Sequence, residues 1–377
     1  MKWAIRDLLN PVVTRSLLYG ANPFDVEYIL KQVDGIKAMS GRKIQAVWLG
    51  EWEKKIQNYQ ALMEKAESAG NRISARAYAK LVAECNYACF MINLEDVERK
   101  TQIYDALAKS YEKYISFCDT KTEYVEIDSA YGKIPAYLHF PDDGNQKSYP
   151  CVITYSGIGS CKEELEMLAQ PLKERGIAVL CPDMPGAGAS VIHNGIQCGG
   201  KMLESAIEGI YQYLSTRPDI DNNRLGNFGL CMGGGYAFRA TVKNPEIKAC
   251  ASLFPLFMHY AQQESIPVWM KKGKWASMQY CDDYLESMKI LEEGTLSADF
   301  LLVDCADDNW MTPEASDRLY SKATGYKERI QIVDKPSYVS EETIMHAMPV
   351  GEQYHWVKHE AADFLASRLK GESIYHE

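Results

Sequence analysis

Cys231 carries the sharpest chemical signal in the chain. It is the centre of Asn227-Phe228-Gly229-Leu230-Cys231-Met232-Gly233-Gly234-Gly235, a Gly-x-Cys-x-Gly pattern that reads as a buried strand, a tight turn and the start of a helix. This is the pattern of a nucleophile elbow, with a thiol where a hydroxyl usually stands. So sharp a turn strains the central residue and thrusts its side chain above the sheet, and the positions two before and two after it must be small. Gly229 and Gly233 satisfy that demand. The helix expected from Met232 would point free N–H groups at the sulfur and favour negative charge there, so the thiol is expected to be partly thiolate near neutral pH. On the five residues alone Cys231 could equally be a small buried residue, as most free cysteines are. The flanking sequence tips the balance.

An elbow nucleophile needs a base, a group that orients the base, and donors for an oxyanion, with the partners following in the order nucleophile, acid, histidine. Leu301-Leu302-Val303-Asp304-Cys305-Ala306-Asp307-Asp308 is an apolar strand that runs into carboxylates just past its C-terminal end, the functional edge of a parallel sheet. Asp308 is the first choice for the acid, with Asp307 in competition and Asp304 third; a merely solvated acidic loop is the plain alternative. His346, in Ile344-Met345-His346-Ala347-Met348-Pro349, falls between the last predicted strand and the last helix and is the expected base. His139 and His193 precede the elbow, the wrong order. His355 and His359 have the i, i+4 spacing of a metal pair but no third ligand, so neither a metal nor a cofactor is expected. Tyr155-Ser156-Gly157-Ile158-Gly159-Ser160 ends a strand in a glycine-rich turn. The backbone N–H of Ile158 there, with that of Met232, would form the oxyanion hole.

The elements that must hold these groups are legible as a change of period. Residues 1 to about 120 read as helical, with apolar spacing over Phe24–Leu30 and from Trp48 to Ala69. Gly70-Asn71 is a stop, Ser74 a plausible N-cap for a helix over Ala75–Leu94, and a further helix runs through Tyr104–Phe117. From about 121 onward a hairpin (Tyr124–Ile127 with Ile134–Leu138) leads into alternating strands and helices, the mark of a doubly wound, mostly parallel sheet. Strands are expected at 151–155, 177–180, 224–229, 247–253, 300–303 and 330–333, with helices at 162–175, 202–214, 232–242 and 354–369. Between Pro255 and Ser297 the alternation lapses into residues rich in Tyr, Trp and Met, read as a helical insertion over the site. The expected organisation is thus a helical domain over 1–120 and an α/β domain over 121–377, with the insertion at 255–297.

Composition narrows the partners. With 377 residues there is enough chain for an α/β core and an accessory domain. A net charge of −10 without a Lys/Arg run argues against a nucleic-acid face. Lys2, Arg6, Asp7 and Arg15 interrupt the N-terminal apolar residues, unlike a signal peptide. No stretch has the length of a membrane span. The 11 cysteines lack CxxC pairs and several fall in strands, the usage of reduced thiols in the cytoplasm.

With these stretches in hand, the chain resembles the α/β-hydrolases that carry an N-terminal helical cap, a group that includes dihydroxypseudooxynicotine hydrolase, fermentation-respiration switch proteins and polyketide-shortening hydrolases. The likeness is carried by Gly70-Asn71-Arg72-Ile73-Ser74-Ala75-Arg76, by Gly157-Ile158-Gly159-Ser160-Cys161-Lys162-Glu163-Glu164, by Pro182-Asp183-Met184-Pro185-Gly186-Ala187-Gly188, and by the elbow with the closing His346. It implies an α/β-hydrolase fold with an all-helical cap, Cys231 as nucleophile, Asp308 as acid, His346 as base, and often a homodimer. Most such relatives carry serine at the elbow, whereas Gly-Leu-Cys-Met-Gly-Gly is similar to the cysteine elbow of dienelactone hydrolases. The expected activity is acyl hydrolysis through an acyl-cysteine, on an ester, a thioester or a 1,3-dicarbonyl of polyketide-like kind. An acyltransferase or cyclase is the alternative among enzymes, and a silent ligand-binding homologue the alternative outside them. The aromatic and Met residues of the insertion suggest an apolar or aromatic small-molecule substrate.

Overall fold

The computed structural model describes residues 5–34, 41–92, 96–141, 147–257, 274–275, 278–279, 294–308, 310–333, 346 and 352–371. The chain divides into two units, Met1–Asp119 and Thr120–Glu377.

The described residues of the first unit form helices α1 (Ile5–Tyr19), α2 (Pro23–Asp34), α3 (Gly41–Ser68), α4 (Arg72–Met91) and α5 (Val97–Ser116). The aromatic positions that set the helical period in the sequence are its core: Trp48 and Trp52 are fully buried, and Trp48 Nε1 donates to the carbonyl of Ala88 at 2.9 Å. Ser74 does not cap α4. The helix already starts at Arg72, because α3 closes in a tight corner in which Gly70 takes φ 73° and Asn71 N donates back to Ala66 O. That left-handed corner turns the chain straight into the next helix and leaves no extended residue for Ser74 to occupy.

The second unit is built on a sheet of 8 strands in the order β1-β2-β4-β3-β5-β6-β9-β10. The strands are β1 (Thr122–Ser129), β2 (Gly132–His139), β3 (Tyr149–Tyr155), β4 (Ala178–Pro182), β5 (Ile220–Leu230), β6 (Ala249–Leu253), β9 (Asp299–Cys305) and β10 (Lys327–Ile332). β1 and β2 are antiparallel to each other, β2 is antiparallel to β4, and every pairing from β4 to β10 is parallel. This is the doubly wound, mostly parallel sheet that the alternating pattern implied, and the α/β-hydrolase arrangement that the resemblance implied. Because side chains alternate across the strands, Ile153, Leu180, Phe300 and Leu302 share one apolar cluster with α8 (Gly200–Ser215) and α9 (Met232–Lys243). The opposite face packs against α6 (Glu166–Lys173) and the last helix, α11 (Glu352–Lys370), whose Leu365 and Leu369 close on Gly226.

Two further helices lie among the described residues of the unit: α7 (Gly188–Ile192), which the apolar pattern did not signal, and α10 (Pro313–Ser321), N-capped by the Thr312 side chain. The helix expected over 162–175 is shorter. Its first turn is replaced by i to i+3 turns from Cys161 to Leu165, because Lys162 N is held by the carboxylate of Asp183 at 2.6 Å. Of the helical insertion expected at 255–297, residues 258–273, 276–277 and 280–293 lie outside the described residues. Lys274–Trp275 (β7) and Met278–Gln279 (β8) form a short antiparallel ladder. Among the described residues no helix is long and apolar enough to cross a membrane.

Candidate active site

β5 ends at Leu230 and α9 begins at Met232, so the whole change of direction falls on Cys231, at φ 58° and ψ −125°. That conformation strains any residue with a Cβ. Among the described residues the other non-glycine with positive φ is Phe254, at the end of the neighbouring β6. The two bends are tied together: Cys231 N donates to Leu253 O at 2.9 Å, and Leu256 N donates to Cys231 O at 2.9 Å. The flanking glycines are steric necessities. A Cβ on Gly229 would lie 2.0 Å from Gly233 O, and one on Gly233 would lie 2.1 Å from Tyr155 O.

The carboxylate that meets the base is Asp308. Its Oδ1 accepts from the backbone N–H groups of Trp310 (2.8 Å) and Met311 (2.9 Å), and its Oδ2 lies 2.7 Å from His346 Nδ1. The other ring nitrogen, Nε2, lies 3.3 Å from Cys231 Sγ. Asp307, one residue earlier, is exposed, and Asp304 forms a two-point ion pair with Arg329 (3.1 and 2.5 Å). The structure therefore brings Cys231, His346 and Asp308 together and leaves the rival acids elsewhere. Among the described histidine side chains, His139 is buried beside the Thr122 hydroxyl and His193 and His359 are exposed, while the side chain of His355 lies outside the described residues. Among the described residues no cluster could hold a metal ion.

Electrostatics favour a charged base. Burial opposes protonation of His346, only 1% exposed, but the Asp308 carboxylate and the Cys231 sulfur outweigh it and raise its pKa to about 10. Burial likewise disfavours the charge on Asp308, yet His346 and the N–H groups of Met311 and Trp310 hold its pKa below the ordinary value. Cys231 is half-buried, whereas most other described thiols are sealed in. Burial, against hydrogen bonds that pull the other way, pushes Cys250 up to about 11 and Cys181 up to about 12.

Gly157 and Ile158 lie where a strand-end turn should. A Cβ on Gly157 would sit 3.2 Å from Cys231 Cβ and 3.7 Å from its Sγ, and Met232 is the first residue of α9. Behind that turn lies a contact the sequence did not announce. Asp183 accepts from Lys162 N (2.6 Å), Ala189 N (2.9 Å) and Lys162 Nζ (3.2 Å), all in full burial. It pins the end of the turn to the loop after β4. Sequence reasoning also passed over Trp310, which stacks on the His346 ring. Its place two residues after the acid is the only trace it leaves in the sequence.

The chain is similar to Alpha/beta hydrolase pydG of an Acremonium species, 29% identical over 220 residues that cover 56% of this chain and 51% of that protein. It is similar to 2,6-dihydropseudooxynicotine hydrolase of Paenarthrobacter nicotinovorans, 26% identical over 212 residues that cover 56% of each. The chain thus spans about half the length of these relatives. In fold it is similar to the crystal structure of 2,6-dihydroxy-pseudo-oxynicotine hydrolase, with a TM-score of 0.74 at 19% identity over 97% of this chain and 98% of that one. AbyA5 is similar with a TM-score of 0.61 at 14% identity, over 86% of this chain and 89% of that one. Residues 38–269, more than half of the chain, match the family described as Esterase FrsA-like. The chain accordingly belongs to the FrsA-like esterase family, within the α/β-hydrolase superfamily.

Proposed function

We propose that the protein is an acyl hydrolase whose nucleophile is Cys231, driven by His346 and Asp308. The observation that supports this reading is the unbroken relay from Sγ to Nε2 (3.3 Å) and from Nδ1 to Oδ2 (2.7 Å). The proton that the pair shares rests on His346 Nε2 when the Cys231 sulfur bonds to the substrate carbonyl carbon, whose π electrons move onto oxygen. The N–H groups of Ile158 and Met232 are assigned to that oxyanion, one beside the sulfur in the Gly157 turn and one at the head of α9. As the carbonyl re-forms, His346 returns the proton to the departing group and leaves an acyl-cysteine. Water, deprotonated by the same nitrogen, attacks the thioester, and the acid departs with the thiol restored. Asp308 stays ionised throughout and holds Nδ1–H.

The substrate is read as an ester, a thioester or a 1,3-dicarbonyl, where the departing group is an alkoxide, a thiolate or a stabilised carbanion. The similarity to a protein named 2,6-dihydropseudooxynicotine hydrolase supports a small aromatic substrate. A sulfur nucleophile also leaves an acyl thioester that retains transfer potential, which favours acyl transfer or cyclisation as the second reading.

Incubation with candidate acyl donors tests the proposal. A mass increment on Cys231 that decays in water supports hydrolysis, and one that decays only with an added acceptor supports transfer. Donors that are bound and never acylate the sulfur would leave a silent binding protein.

A further inference from the structure

Trp310 has no part in the chemistry above, yet it touches both partners of the nucleophile. Its indole is 8% exposed and lies over His346, with ring centroids 4.9 Å apart and planes 25° from parallel. Its backbone N–H donates to Asp308 Oδ1 at 2.8 Å, while Oδ2 faces His346. Packing alone is a poor account of an indole at this position. Nε1 is buried and has no hydrogen-bond partner among the described residues. A donor buried in that way costs about 1–3 kcal/mol, a cost that phenylalanine or leucine would not carry. What indole offers instead is an electron-rich face, the strongest among side chains for a stacked cation. His346 becomes a cation whenever it takes the proton of Cys231.

We propose that Trp310 is a positioning residue for the base: its ring face fixes the plane of the His346 imidazole and stabilises the imidazolium, while its backbone N–H aims Asp308. The proton still moves between Sγ and Nε2, and no bond to Trp310 forms or breaks. The inference rests on reading Cys231, His346 and Asp308 as a working triad, but its readouts need no turnover. The titratable groups that bear on the ring are Asp308 and Cys231, and both are kept in the variants Trp310→Phe and Trp310→Leu.

The test is the rate of Cys231 alkylation by iodoacetamide, followed by mass and measured from acid to alkaline pH. Loss of the indole face lowers the alkaline inflection at which the imidazolium is lost. The shift amounts to about 0.4 to 1.5 pH units, the two- to thirtyfold change in the protonation equilibrium that a desolvated cation–π contact spans. Trp310→Phe keeps a flat but weaker face and gives the smaller shift in the same direction. Profiles in which both variants keep the wild-type inflection overturn the proposal, as do profiles in which Phe and Leu shift alike. Should Trp310→Leu fail to fold, the emission difference between wild type and Trp310→Phe decides. Indole emission quenched by the imidazolium must recover through the same inflection, and a difference spectrum that ignores pH overturns the stack. If wild type itself shows no favoured alkylation, the triad reading fails, and the emission difference still judges the contact.

Discussion

His346 Nε2 stands 3.3 Å from the sulfur of Cys231, although 115 positions of chain separate the two residues. Among the described thiols, that contact sets Cys231 apart as the one hydrogen-bonded to an imidazole. We expect iodoacetamide to modify Cys231 before the buried thiols Cys85, Cys89, Cys151, Cys161, Cys181, Cys198, Cys250 and Cys305, with the half-buried Cys118 as internal control. Cys231→Ala should lose hydrolysis of an accepted acyl ester by about a thousandfold or more. Labelling of Cys118 ahead of Cys231 would contradict the assignment.

The elbow's strain gives a second expectation. Cys231 holds φ 58° and ψ −125°, a conformation that glycine alone adopts without penalty. Both Cys231→Gly and Cys231→Ala remove the sulfur, but only glycine relieves the backbone. Thermal unfolding should place the Gly variant above the Ala variant by about 1–3 kcal/mol, less what glycine loses in unfolded-state entropy. The reverse order would mean that the bend is not strained.

Adjacent carboxylates offer a sharper comparison. Asp308 bonds to His346, whereas Asp307 is exposed. Asp308→Asn should lower kcat by about 10³- to 10⁴-fold, since the amide cannot hold the tautomer or stabilise the imidazolium. Asp307→Asn should remain close to wild type. Steady-state kinetics on the two variants settles which acid works, and equal losses would show that neither does.

Stability against pH follows from the same pair. His346, held up at about 10 against an ordinary 6.5, stabilises the fold fully below 6.5 and loses that contribution as pH rises through 10. Asp308 is displaced the other way, so its contribution is present above its ordinary 3.8 and is lost as pH falls through its folded-state value. The gap in Tm between wild type and His346→Gln should therefore be widest between about 4 and 6.5 and narrow toward pH 10. Calorimetry across that range checks it; a gap that widens with alkali would refute the pairing.

Much of the site could be read without coordinates because its demands are local. Gly229 and Gly233 are required by contacts made within a few residues of Cys231, so the elbow announces itself in a short stretch of sequence. The alternation of strands and helices likewise reports which faces are buried, and it yielded the parallel sheet. Ends of elements were less legible where a distant group intervenes. Asp183 shortens the helix expected from Lys162, 21 positions away, and Trp310 found its partner only when His346 folded over it.

What the amino-acid order by itself determined is the kind of chemistry available and its sequence along the chain: a thiol at a glycine-flanked turn, carboxylates after a strand, a histidine before the last helix. Hydrophobic period and steric need are short-range properties, and they survive in one dimension. Tertiary structure decided which carboxylate meets His346, because Asp307 and Asp308 have the same chemistry and differ only in direction. The turn that seats Asp308 Oδ1 on two backbone N–H groups aims Oδ2 at an imidazole 38 residues away, and a hydrogen bond of 2.7 Å exists only where the fold sets both ends of it.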